Sequence, residues 1–147
     1  MIASEIQVSY KNRIPLDERT RITKSDDAFM YLREVFDTNT IEMAEEFIVL
    51  FLDNSHGVKG HYKMSKGGMT GTLVDIRILM AIALKTLSSA IVIAHNHPSG
   101  KLAPSEADKT LTKKIREAAL LMDIKLLDHL IVSPQKTYYS FADQGIL

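Results

Sequence analysis

Five apolar residues, Ala90-Ile91-Val92-Ile93-Ala94, run directly into His95-Asn96-His97-Pro98. A continuous Val/Ile-rich run of this length reads as a strand buried on both faces. Such a strand needs cover above and below, so a layered α/β fold is expected. Along a strand, residues i and i+2 share a face, roughly 6–7 Å apart. His95 and His97 therefore lean toward one point past the strand end. Pro98 stops the ladder, because it has no N–H to donate. Ser105 and Asp108 follow, three apart, where a new helix is predicted to begin. Two imidazoles and a carboxylate converging on a point make a three-ligand zinc set with a free fourth position. S-x-x-D before a helix is also a capping box, with Ser105 as the cap and Asp108 reaching back. The two roles are compatible. The same donors also suit a non-haem iron triad, which is less favoured than zinc.

The remaining elements follow from periodicity. Ile6–Tyr10 alternates as a short strand, and Lys11–Thr23 is a polar arm. Ser25 is placed as an N-cap, with Asp26 and Asp27 in the first turn, where the helix dipole favours acids. Ala28–Phe36 shows helical spacing, Phe47–Leu52 is a central strand, and Val58–Met64 is its hairpin partner. Gly67, Gly68 and Gly71 mark a loop. A helix over Val74–Leu87 is capped by Thr72 or Asp75. After strand Ala90–Asn96 comes the longest helix, Glu106–Met122, with Leu111, Ile115, Ala118, Ala119 and Met122 as its buried face. Lys125–Val132 and Tyr138–Phe141 are strands. The interleaving predicts a single-domain α/β protein, an αβα sandwich around a mixed sheet.

Composition excludes several function classes. The chain has 18 basic and 18 acidic residues and a formal charge of zero, so no dominant electrostatic surface for DNA is expected. It has no cysteine, hence no disulfide, thiolate zinc ligand or Cys nucleophile. That suits a reducing, cytoplasmic location. No signal peptide or membrane-spanning stretch is expected. H-E-x-x-H is absent, and a zinc deaminase would need P-C-x-x-C. The letters HNH match a nuclease name only by chance, since that motif spreads its residues over a ββα element.

H-x-H-P followed by S-x-x-D resembles the JAMM motif of the JAB/MPN metalloproteases. HNHPSG, with Leu127-Asp128-His129-Leu130-Ile131-Val132 downstream and Gly145-Ile146-Leu147 at the end, resembles the RadC-like branch. Six residues, Ser99 to Pro104, separate Pro98 from Ser105, one fewer than the usual JAMM spacing, and the shorter spacing matches that branch. The resemblance implies a JAB/MPN-like, cytidine-deaminase-like fold. It implies residues 41–147 as the RadC-like domain, with residues 1–40 as a strand, arm and helix packed on it. It implies the short form, without a helix-hairpin-helix domain. It also implies a zinc-dependent hydrolase acting on a peptide or isopeptide amide. The metal would be held by His95, His97 and Asp108, with Ser105 hydrogen-bonding the developing oxyanion.

JAMM enzymes take a Glu at the start of an upstream strand as general base. RadC-like chains carry it two positions before the Phe of that strand, which points to Glu45. Glu46 faces the other way by alternation. RadC proteins are also labelled DNA repair proteins, so the alternative is a DNA-associated accessory or binding module with a structural or vestigial metal site. Substrate identity and oligomeric state, including a homo-oligomer, stay open. His129 is expected beside the core, with a supporting role to the metal ligands as the alternative. His56 and His61 are expected at the surface, and Lys113, Lys114 and Arg116 on the solvated face of the long helix.

Overall fold

The computed structural model describes residues 1–67 and 73–147. Gly68, Gly71 and Thr72, assigned from sequence to a loop and a possible cap, lie outside the described residues. The order of elements is α1 (Ser25–Val35), β1 (Glu46–Leu52), β2 (Val58–Lys66), α2 (Ile76–Lys85), β3 (Ala90–Asn96), α3 (Glu106–Leu121), β4 (Lys125–Val132) and β5 (Tyr138–Ser140). The strands form one sheet in the order β2-β1-β3-β4-β5. β3 and β4 run parallel, and the other neighbouring pairs are antiparallel. The expected mixed sheet is present.

Strand alternation divides the core in two. Ile48, Leu50, Leu52, Val92, Ala94 and Leu130 face α1, packed with Ala28, Phe29 and Leu32. Phe47, Val49, Phe51, Ile91 and Ile93 face α2 and α3, packed with Leu79, Ala83, Ile115 and Ala119. The result is the expected αβα sandwich. β1 and β3 are buried along their whole length, which is why neither shows a polar alternation.

β4 departs from simple alternation. Ile91 pairs with Leu126 but Val92 pairs with Asp128, so Leu127 is an extra residue. Leu126 packs in the α3-side core and Leu127 against the α1-side core. Asp128 pairs with Val92, on the same α1 side as Leu127. The bulge re-phases the strand and turns His129 toward α3.

Three local expectations are corrected. Ile6–Tyr10 forms no strand: Ile6 and Val8 are exposed, and the segment pairs with no strand of the sheet. The first helix begins at Ser25, with Lys24 in the cap position. There the Asp27 carboxylate satisfies the Thr23 and Lys24 N–H groups at 2.8 and 3.2 Å. Met122 is exposed, because α3 ends before it. Asp123 turns left-handed (φ 55°), Ile124 N–H bonds Ala119 C=O and Asp123 N–H bonds Leu120 C=O. This Schellman reversal puts buried Ile124, rather than Met122, into the core. Thr112 joins Ile115 and Ala119 as the fully buried positions of α3, while Leu111 and Ala118 are half-buried.

Candidate metal centre

β3 delivers both histidines. His95 takes the α3 face by alternation, opposite Phe47 in the β1–β3 register, and the two rings stack 6.2 Å apart. His97 follows on the same face, with its N–H bonded to Val132 C=O at 3.0 Å. A turn then folds the chain back, closed by Gly100 N–H to His97 C=O at 2.9 Å. Gly100 has φ +79°, a left-handed conformation that L side chains rarely adopt, so this turn favours glycine. The loop returns Asp108 over the strand end on the first turn of α3.

The three side chains meet. His95 Nε2 and His97 Nε2 lie 3.0 Å apart. Asp108 Oδ1 is 3.3 Å from His95 Nε2, and Oδ2 is 3.5 Å from His97 Nε2. One donor atom from each lies within 4.8 Å of the other two, so the cluster could hold a metal ion. The donor set, two imidazole nitrogens and a carboxylate, matches what a divalent borderline ion such as Zn²⁺ takes. The capping box forms as well. Ser105 Oγ accepts Asp108 N–H at 3.0 Å, and Asp108 Oδ2 accepts Ser105 N–H at 2.7 Å.

Charge in the cluster is mutually supported. Burial would raise the Asp108 carboxyl, but His95, His97 and the Ser105 N–H hold it far below the usual carboxylate range. Asp108 raises His97 above its ordinary value, against the burial that lowers it, and the Glu45 charge adds to the rise. His129 is fully buried, and that burial holds it well below the usual histidine range, so it is neutral.

Glu45 and Ser105 stand at the entrance. Both line an open groove of about 840 Å³ together with His97, Met43, Pro98 and Lys101. Glu46 turns away, buried and 2.9 Å from Lys63 Nζ across the β1–β2 pair. The two glutamates thus face different surroundings, Glu45 the groove and Glu46 the β1–β2 pair. His61 is exposed and meets Tyr31 Oη at 3.2 Å, whereas His56 is half-buried, in a left-handed turn (φ 61°). Lys113, Lys114 and Arg116 are solvated.

Two contributors escape a reading of sequence alone. Asn96 sits between the histidines but on the opposite face. Its Oδ1 accepts Glu46 N–H at 2.7 Å, and its Nδ2 donates to Ile41 and Ala44 C=O at 2.8 and 2.9 Å. It ties the segment carrying Glu45 to the strand end. The available signal is its own polarity at a buried strand position, where an amide must find partners. Thr112, one turn after Asp108 on α3, bonds His129 Nδ1 at 2.6 Å. His129 in turn meets His95 Nδ1 at 2.8 Å. Thr112 shares a helix face with Asp108 at i+4, which is the signal that could have found it.

A three-layer sandwich with a His-x-His strand end and a helix-start aspartate defines a JAB-type domain. The RadC-like JAB domain model matches residues 16–146, and the chain belongs to that family. It is 46% identical over 127 residues to a UPF0758 protein of Flavobacterium johnsoniae, covering 86% of this chain and 53% of that one. It is 41% identical over 135 residues to a UPF0758 protein of Porphyromonas gingivalis, covering 92% and 60%. The chain thus spans between about half and three-fifths of these relatives. No helix among the described residues is long and apolar enough to cross a membrane.

Proposed function

We propose that this domain is a zinc-dependent hydrolase of the JAMM type, cleaving a peptide or isopeptide amide. The observation that carries the reading is the cluster of His95, His97 and Asp108, which opens through His97 onto a groove that Glu45 and Ser105 also line. When bound, zinc supplies a Lewis acid and brings the pKa of a water down to about 7. His95, His97 and Asp108 would hold it. The Glu45 carboxylate takes the proton of the attacking water and passes it to the departing amine. Ser105 Oγ accepts Asp108 N–H, which leaves its O–H proton to give to the oxygen that gains charge as the carbonyl is attacked. Met43 and Pro98 give the groove apolar surface, and Lys101 a cation at its rim. An extended polypeptide segment suits such an open channel better than an enclosed small molecule.

The test pairs zinc content of the purified protein with hydrolysis of peptide and isopeptide-linked substrates. One zinc per chain with cleavage lost in the Glu45→Gln variant supports the reading. Zinc uptake with no cleavage of any amide, together with salt-sensitive DNA binding, favours the DNA-associated alternative instead.

A further inference from the structure

Behind the three candidate ligands runs a line of hydrogen bonds that a single arrangement of protons satisfies. Thr112 Oγ1 lies 2.6 Å from the Asp108 backbone carbonyl and 2.6 Å from His129 Nδ1. A carbonyl oxygen only accepts, so the single hydroxyl proton points to Asp108. The Thr112 oxygen then presents a lone pair to His129, and His129 must carry its proton on Nδ1. Its Nε2 is left bare and accepts from His95 Nδ1–H, 2.8 Å away. With Nδ1–H so engaged, Nε2 is the His95 nitrogen left to coordinate, and it is aimed at the cluster. His97 reaches the same state separately, since its Nδ1–H donates to the Lys101 carbonyl. The two Nε2 atoms and a carboxylate then face one point, where a cation would take the place of the protons they share.

We propose that Thr112 and His129 are positioning residues that set the tautomer of His95 and so present its Nε2 to the metal. This rests on the metal reading given above. The first turn of α3 therefore acts twice, through the Asp108 side chain as a ligand and through its main-chain carbonyl as the anchor of the proton order. Solvent cannot reset that order, because His129 is fully buried and stacks on Phe141 at 4.6 Å, with Phe47 edge-on at 5.9 Å. The reversed order would put a proton on His95 Nε2 and remove the ligand. The bulge at Leu127 is what brings His129 to this face.

The experiment uses the whole ¹⁵N-labelled chain. Long-range ¹H–¹⁵N correlation reads the tautomers without and with one equivalent of zinc, and competition with a chelator reads zinc affinity. Wild-type His129 is expected as the Nδ1–H form in both states, and His95 as Nδ1–H in the zinc-loaded state. Thr112→Val removes the hydroxyl at constant shape and is expected to weaken zinc binding by roughly 10–100-fold, the usual weight of such support. Thr112→Ser keeps the hydroxyl and should restore wild-type affinity. A wild-type His129 with a bare Nδ1 overturns the proposal, even if Thr112→Val fails to fold. So does a folded Thr112→Val variant with unchanged affinity and tautomers, because a merely structural threonine would behave that way. A wild type with His129 protonated at Nδ1 that takes up no zinc overturns the metal reading, and the positioning role falls with it.

Discussion

Ser105 and Asp108 hold each other twice, side chain to main chain in both directions, and the same Asp108 carboxylate lies 3.3 Å from His95 Nε2. One residue thus caps α3 and completes the cluster. The cap orders the first helical turn and fixes the carboxylate over the strand end, so helix stability and ligand geometry are coupled.

Asp108→Ala is therefore expected to lose metal and also to destabilise the metal-free protein. The cap share is about 0.5–2 kcal/mol. Asp108→Asn retains an acceptor for Ser105 N–H and should recover much of that share without restoring metal binding. Thermal melts of both variants beside chelator-treated wild type separate the effects. Equal melting of Asp108→Ala and chelated wild type would show that the cap contributes nothing.

Glu45→Gln should keep zinc and lose roughly 10²–10⁴-fold in hydrolysis, the range of general acid–base catalysis. Glu46→Gln should leave turnover nearly unchanged and instead lower stability, because Glu46 is buried against Lys63. Single-turnover rates with zinc content measured on the same samples check both. The reverse order of effects would move the base to Glu46.

Asn96→Ala removes three hydrogen bonds from buried and half-buried main chain around Ile41, Ala44 and Glu46. Each buried group left without a partner costs about 1–3 kcal/mol. The segment carrying Glu45 loses its anchor while His95 and His97 keep theirs. Turnover should fall further than zinc affinity, and amide exchange over residues 41–46 should rise. Parallel loss of zinc and turnover would argue against this division.

Arg19 and Asp53 pair at 2.7 Å where the amino-terminal arm meets the end of β1. Burial pushes the Asp53 carboxyl up, but Arg19 and the N–H groups of Gly57 and Ser55 bring it down to about 2, against an ordinary value of 3.8. A depressed carboxylate stabilises the fold above its unfolded value and loses that contribution as pH falls. The gap corresponds to about 2 kcal/mol at neutral pH, lost between about pH 4 and pH 2. Asp53→Asn should be less stable than wild type at pH 7, and the difference should shrink as pH falls from about 4 and vanish only below about pH 2. Denaturant unfolding at stepped pH measures it.

Much of this was readable from residue order. The strand Ala90–Asn96 and the strand Lys125–Val132 carry dense apolar runs with sharp ends, and their bounds match the structure. His95, His97 and Asp108 are close in sequence and joined by a turn whose glycine and prolines dictate a reversal, so their meeting is nearly local. The Ile6–Tyr10 segment has the same alternation as a real strand, yet alternation says nothing about whether an edge is available to pair with. Met122 continues the apolar stripe of α3, but the left-handed turn at Asp123 moves the core position to Ile124.

The sequence by itself determined the layered α/β plan and the candidate ligands, because period-2 and period-3.6 patterns and a short loop are local properties; the preference for Glu45 over Glu46 came from the family resemblance. Only the tertiary structure decided what stands behind the ligands. Thr112, His129 and Asn96 reach the site from α3, from β4 through a bulge, and from the far face of β3. A bulge shifts alternation by one residue and depends on how β4 packs beside β3, which is a long-range matter. The proton order of His95 is therefore set by contacts between residues as far as 34 positions apart, which only packing brings together.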